Sequence, residues 1–186
     1  MSQFSIFDTP IKDLKVIERK PIGDSRGFLA RIFCADQLKS AGWHTPIVQI
    51  NQTVTRKKGT VRGMHFQNAP HAEMKLISCL RGEIFDVAVD LRYDSPTFLK
   101  WHSEKLSSEN YRALLIPEGF AHGFQTLTDD CELLYLHSAP YIPASEAGIR
   151  ATDSRLGILW PLDFSEISQR DSEHPLIADE FKGIEL

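Results

Sequence analysis

The run Gly59-Thr-Val-Arg62-Gly63-Met-His65-Phe-Gln67 sets an arginine and a histidine around a glycine inside a β-like stretch. Lys75 follows on another apolar run, and further on come Pro117-Glu-Gly119-Phe-Ala-His122 and then Tyr135. An imidazole base, a cation, a second imidazole and a phenol are the parts needed to remove and return a proton beside a carbonyl. Taken singly each has an ordinary structural use, so the weight rests on their convergence.

Alternation along Thr60–Phe66 places Val61, Gly63 and His65 on one face and Arg62, Met64 and Phe66 on the other. A regular strand would therefore keep His65 and Arg62 apart. A bulge at Gly63 would reconcile them, because glycine within a strand often marks such a distortion. Lys75 shares its face with Ile77 and Cys79, apolar company that demands a partner for the charge. Leu133, Tyr135 and His137 line one face of a later strand. Asp86 and Asp90 alternate against Phe85, Val87 and Val89, and inside a barrel such an acidic face would orient histidines.

These residues need a scaffold, and the pattern from Leu14 to about Ser138 supplies one: short β-like runs broken by Gly, Pro, Asn and Asp. Candidate strands are Leu14–Arg19, Phe28–Phe33, Ile47–Val54, Thr60–Phe66, Met74–Leu80, Ile84–Leu91, Trp101–Leu106, Ala113–Ile116, Gly123–Leu127 and Glu132–His137. Asp36–Gly42 reads as one short helix with an acidic start and a glycine stop, and Arg81-Gly82 reads as a tight hairpin. The expected fold is all-β, a double-sheet jelly roll with a loop-rich C-terminal arm over residues 143–186. Residues 1–186 form a single domain in this reading.

The 186 residues are 42% hydrophobic and carry a net charge of -4, enough apolar material for one core and too little cationic field for nucleic acid. Cys34, Cys79 and Cys131 are widely spaced and include no CxxC pair, so neither a disulfide framework nor a thiolate zinc site is indicated. With no basic leader and no bilayer-length apolar run, a cytoplasmic protein independent of membranes is expected. The Pro117-Glu-Gly119-Phe-Ala-His122 run resembles the second motif of cupins. A metal-binding cupin would add a His-x-His pair where this chain has His65-Phe-Gln67, so the expectation is chemistry without metal or cofactor.

Together, Gly23-Asp-Ser-Arg26-Gly-Phe28, Arg62-Gly-Met-His65-Phe-Gln67, Gly82-Glu-Ile-Phe-Asp86-Val-Ala-Val-Asp90-Leu-Arg92, Ser95-Pro-Thr-Phe98, Leu106-Ser-Ser-Glu-Asn110, Pro117-Glu-Gly-Phe-Ala-His122-Gly-Phe124 and Gly157-Ile-Leu-Trp160-Pro161 closely resemble the dTDP-4-dehydrorhamnose 3,5-epimerases. The resemblance implies a jelly-roll cupin without metal or organic cofactor, usually a homodimer with an exchanged N-terminal segment, here residues 1–35. It also implies action on a nucleotide-linked 4-keto-6-deoxyhexose, in surface-polysaccharide or deoxysugar synthesis. By the same resemblance His65 is the base at C5 and C3, Asp171 its carboxylate partner, Tyr135 the acid on the opposite ring face and Lys75 the cation beside the enolate oxygen. Arg26 and Arg62 match pyrophosphate contacts, while Gln49, Asn51, His122 and Tyr141 match residues that bind the rest of the substrate. From composition alone Asp171 would be a solvated tail residue.

The chain departs from the family pattern at Ile22, Leu29 and Arg31, and in Tyr135-Leu136-His-Ser-Ala-Pro140-Tyr141. Lost stacking surface and altered charge make another nucleotide carrier an alternative, since base–aromatic stacking contributes roughly 1–3 kcal/mol per base. A 3-only or 5-only epimerase of a GDP-, CDP- or UDP-linked sugar would use the same residues. A metal-dependent cupin oxygenase would need the missing His-x-His pair. A non-catalytic sugar-binding jelly roll would have no use for His65, Tyr135, Lys75 and Asp171 together.

Overall fold

The computed structural model describes residues 2–186. Along the chain lie β1 (Phe4–Asp8), β2 (Lys15–Arg19), β3 (Ile22–Asp24), β4 (Gly27–Leu29), α1 (Ala35–Leu38), β5 (Gln49–Thr55), β6 (Thr60–Gln67), β7 (Lys75–Arg81) and β8 (Glu83–Asp90). There follow β9 (Trp101–Ser107), β10 (Arg112–Ile116), β11 (Phe120–Thr126), β12 (Cys131–His137), β13 (Glu146–Gly148), β14 (Glu166–Ile167) and α2 (Gln169–Ser172). One sheet runs β1-β2-β10-β7-β12-β5 and the other β13-β6-β11-β8-β9, with β14 alongside β6. This is the expected all-β jelly roll. Among the described residues no helix is long and apolar enough to cross a membrane.

Three apolar layers hold the sheets. Between them, Ile77, Cys79, Leu114 and Leu133 from the first sheet meet Ile84, Ala88, Leu106 and Phe124 from the second. The outer face of the first sheet, with Phe4, Leu76, Leu115 and Leu136, is covered by Leu38 and Trp43. The outer face of the second, with Val61, Met64, Val87 and Val89, is covered by Ile149, Leu156 and Ile177 of the C-terminal arm. Because both faces of the central strands are covered, Leu76 and Ile77 of β7 and Val87, Ala88 and Val89 of β8 are consecutive buried apolar residues rather than alternating with exposed ones. The arm is tied by its backbone as well: buried Gln125 donates to the Leu162 carbonyl at 2.8 Å and accepts from the Leu162 N–H at 3.0 Å.

Most expected strands are present within a residue or two of their bounds, and four readings need correction. Arg81-Gly82 is not a hairpin, since β7 pairs with β10 and β12 whereas β8 pairs with β9 and β11. The chain changes sheets there, at Gly82 with φ 76°, where a Cβ would come within 2.6 Å of Thr128 Oγ1. The expected strand Phe28–Phe33 shrinks to β4, which pairs only with β3 in a separate ribbon, while Ile32 and Phe33 turn to pack on the first sheet's outer face. The helix over Asp36–Gly42 splits into α1 and a 3-10 turn at Lys39–Ala41, ended by Gly42 in the left-handed region. Finally, the arm is more than loops: β13 pairs antiparallel with the end of β6, and β14 pairs parallel with its start.

The bulge anticipated at Gly63 is present. His122 pairs with His65 but Phe124 pairs with Arg62, so β6 carries one residue more than β11 between those pairs. The extra residue restores parity, and Arg62 and His65 open on the same cavity. Gly63 has φ 120°, and a Cβ there would lie 2.6 Å from the Gly123 Cα. Gly63→Ala should therefore destabilise the fold by about 2 kcal/mol or more, through backbone strain and collision with a neighbouring strand. Thermal or urea unfolding checks this, and a variant as stable as the parent would contradict it.

Candidate active site

A cavity of about 750 Å³ opens between the sheets at one end of the jelly roll, within the usual range for small-molecule sites. The first sheet contributes Asn51 from β5, Lys75 from β7, and Tyr135 and His137 from β12. The second contributes Arg62 and His65 from β6 and His122 from β11. Asp171, Arg170 and Glu146 reach the cavity from the C-terminal arm, and Tyr141 from the loop before it.

His65 is organised by the arm. Its Nε2 stands 2.8 Å from Asp171 Oδ1. A carboxylate only accepts, so Nε2 carries the proton and Nδ1 keeps the free lone pair. The other carboxylate oxygen accepts the Gly63 N–H at 3.1 Å, and Asp171 is almost fully buried. Burial alone would raise the Asp171 carboxyl, but the hydrogen bonds from His65 and the Gly63 N–H outweigh it and hold the group well below its ordinary 3.8. Ser168 caps α2 by accepting the Asp171 N–H at 3.0 Å, which fixes the turn that aims the carboxylate. Arg170 reaches across the pair, its Nη2 3.3 Å from His65 Nε2 and its Nη1 3.1 Å from Glu146.

The opposite wall carries two further networks. Lys75 pairs with Glu73 at 3.2 Å, and Glu73 in turn accepts from His137 Nδ1 at 2.8 Å. Burial opposes the charge of Glu73, yet the hydrogen bond from His137 and the nearby Lys75 hold its carboxyl below the ordinary range. The Tyr135 ring stacks on His137 with centroids 6.0 Å apart and meets His122 edge-on at 5.9 Å. Burial, reinforced by the charge of Asp86, pushes the Tyr135 phenol well above its ordinary value, so it is a proton-bearing donor at neutral pH. His122 Nε2 lies 2.7 Å from Asp86 Oδ1, the histidine-orienting role that the acidic strand face suggested. Burial raises the Asp86 carboxyl, with His122 opposing. Asp90 instead binds Arg92, Ser95 and Thr97.

Of the residues singled out from sequence, His65, Lys75, Tyr135, Asp171, Asn51, Arg62, His122 and Tyr141 all line the cavity. Gln49 stands behind that lining, donating to Asn51 Oδ1 at 3.2 Å and accepting the Tyr141 N–H at 3.0 Å. Arg26 does not reach its own chain's cavity; it sits exposed on the β3–β4 ribbon, paired with Asp24. Sequence reasoning missed Glu73, His137 and Arg170. Glu73 could have been found as the acidic residue two before Lys75, just ahead of β7, and His137 already shared a face with Tyr135.

A buried phenol and a carboxylate-held imidazole on facing sheets are the parts of an acid–base site in a cupin-type jelly roll. The chain belongs to the dTDP-4-dehydrorhamnose 3,5-epimerase family, whose model matches residues 8–179. It is 42% identical over 174 residues to the dTDP-4-dehydrorhamnose 3,5-epimerase of Salmonella typhimurium, covering 92% of this chain and 94% of that one. The Bacillus anthracis enzyme, solved with TDP and PPi bound, superposes with a TM-score of 0.90 at 38% identity, covering 94% and 99% of the two chains. An epimerase from Legionella pneumophila in complex with dTDP-4-keto-L-rhamnose gives 0.91 at 39% identity, covering 98% and 99%. The protein is thus a carbohydrate epimerase, an isomerase.

Because the Asp171 carboxyl is held below 3.8, it favours the folded chain fully above that value, and its contribution fades as pH falls toward the folded-state value. Asp171→Asn should lower the melting temperature at neutral pH, and the gap to the parent should narrow on acidification to about pH 3. Melting curves across that range check the sign. A gap that stays constant would mean the buried carboxylate adds no pH-linked stability.

Proposed function

We propose that the cavity epimerises C5 and C3 of a dTDP-linked 4-keto-6-deoxyhexose, with His65 as base and Tyr135 as acid. The observation that carries this reading is their placement on different sheets: a sugar ring lying between the walls presents opposite faces to them. His65 Nδ1 takes the proton next to the C4 ketone, and Asp171 on the far nitrogen stabilises the imidazolium that results. The electrons move onto the ketone oxygen, where the Lys75 ammonium offsets the developing charge, a contribution of roughly 3–4 kcal/mol in comparable oxyanion sites. Tyr135 then donates to the same carbon from the other side and inverts it. Both groups recover their starting protonation through solvent, so the step is isomerisation without net redox change.

Arg62, whose guanidinium donates to Thr55 Oγ1 at 3.0 Å and pairs with no acidic side chain among the described residues, suits a pyrophosphate oxygen. His122 and Asn51 line the sugar region, with Gln49 and Tyr141 at its margin. Glu73 and His137 hold the Lys75 ammonium against the wall. The product would feed surface-polysaccharide or deoxysugar synthesis, and we place the enzyme in the cytoplasm, where its unpaired cysteines would remain reduced.

Incubation with the dTDP-linked 4-keto sugar in D2O, followed by NMR, tests the assignment, with GDP-, CDP- and UDP-linked analogues as competitors. His65→Ala should abolish deuterium entry at both carbons. Tyr135→Phe should keep exchange while losing inversion, since removal by His65 persists and delivery from the opposite face fails. Inversion by Tyr135→Phe at the parental rate would reduce the phenol to a packing group.

We further propose a homodimer in which residues 1–35 exchange and Arg26 contacts pyrophosphate in the partner's cavity. Ile22, Phe28 and Leu29 project from the β3–β4 ribbon with more than half their surface exposed, and Ile50 and Val48 are similarly bare at the β5 edge, surfaces a second copy would cover. Light scattering should give about twice the 21.1 kDa chain mass. A fully active monomer would overturn the proposal.

A further inference from the structure

The base is flanked by a residue that the proposed reaction does not use. His174, one turn beyond Asp171, has its Nε2 3.8 Å from Asp171 Oδ1, on the oxygen that also faces His65 Nε2 at 2.8 Å. That nitrogen is buried and has no hydrogen-bond partner among the described residues. The rings of His65 and His174 meet edge-on with centroids 5.4 Å apart. Space for the second ring is made by Gly148 on β13, where a Cβ would overlap it. An imidazole held against a carboxylate, bonded to nothing and accommodated by a glycine is poorly explained as core filling.

The three donor atoms lie within 4.8 Å of one another. An ion bonding nitrogen and carboxylate oxygen at about 2.0–2.2 Å sets tetrahedral ligand atoms roughly 3.4 Å apart. The separations of 2.8 and 3.8 Å about Asp171 Oδ1 bracket that spacing. We infer that His65, Asp171 and His174 form a site for a zinc-class divalent ion, and that its occupancy switches the base off. Two imidazoles with one carboxylate suit Zn²⁺, Co²⁺ or Ni²⁺ rather than Mg²⁺ or Ca²⁺, which prefer oxygen-rich shells. The ion would take the Nε2 lone pair of His65, the proton of that nitrogen passing through solvent to Nδ1, and separate the ring from Asp171. Nδ1 then bears the ring proton and has no lone pair with which to accept another. Arg170 must swing away, which its exposure and its existing pairing with Glu146 permit.

The inhibitory half of this inference rests on the epimerase reading, whereas metal binding does not, so the two are measured separately. Enzyme stripped with EDTA is titrated with Zn²⁺ by calorimetry and with Co²⁺ by visible absorption, while deuterium exchange into the sugar is followed in parallel. The parent should bind the ion and lose exchange as the site fills, and EDTA should restore it. His174→Gln should weaken binding by at least roughly tenfold and retain the metal-free exchange rate. Gly148→Ala keeps all three ligands but displaces the ring, and should weaken binding likewise; circular dichroism checks that both variants fold. Equal binding by parent and variants would place the ion elsewhere, for instance on the thiols, and overturn the site. Zinc bound here with undiminished exchange would overturn the switch, as would activity lost on stripping alone. If no sugar is turned over at all, calorimetry and the Co²⁺ spectrum still decide whether the site exists, and the switch falls with the epimerase reading.

Discussion

One carboxylate organises the site. Asp171 accepts from the backbone N–H of Gly63 through one oxygen and faces His65 Nε2 through the other, so it holds the bulge and the imidazole that the bulge redirects. Both contacts are needed for the same geometric reason. Without the extra residue in β6, Arg62 and His65 would point to opposite sides of the sheet. Without a fixed acceptor on Nε2, the imidazole could present either tautomer to the cavity. A buried carboxylate with two donors is also stable as a charge, which keeps it an acceptor through the neutral range.

That carboxylate comes from an element whose first task is structural. The arm from residue 143 onward covers the outer face of the second sheet, and its strands β13 and β14 flank β6 on the same edge. Covering an apolar face and delivering Asp171 are therefore one event. The tie between Gln125 and Leu162 and the bond from Trp101 Nε1 to the Leu156 carbonyl at 2.9 Å register the arm against β11 and β9. Loss of the arm would expose Met64, Val87 and Val89 and strip His65 of its carboxylate partner together.

Much of this was legible in the chain because strand alternation assigns faces directly. Lys75 with Ile77 and Cys79, and Leu133 with Tyr135 and His137, fall on the faces their parity dictates, and Gly63 marked its bulge. Pairing was less legible. Gly82 announces a sharp turn, but the same φ serves a hairpin or a passage between sheets, and only the packing of β7 and β8 against different neighbours decides. Asp171 could not be placed from its surroundings: it lies 106 residues from His65 in a polar stretch, and the resemblance alone pointed to it. A local signal did exist, since Ser168-Gln-Arg-Asp171 has the spacing of a capping box, and it marks the helix though not its target. Arg26 was assigned through a neighbouring subunit, which no single chain displays.

His65 and Tyr135 stand on different sheets, so the distance between them is set by neither sheet alone but by the apolar layer that separates the two. Phe124 on β11 lies beneath His122, while Ile77 and Leu133 lie beneath Tyr135, and all belong to one contiguous core. Close-packed interiors respond to changes of a single methylene, and misplacement of reacting groups by about 1 Å can cost 10²-fold in rate. In this architecture the core does more than hold the chain folded. It is the gauge that spaces His65 and Tyr135 across the cavity, because the two walls that carry them are held at a fixed separation by the side chains beneath.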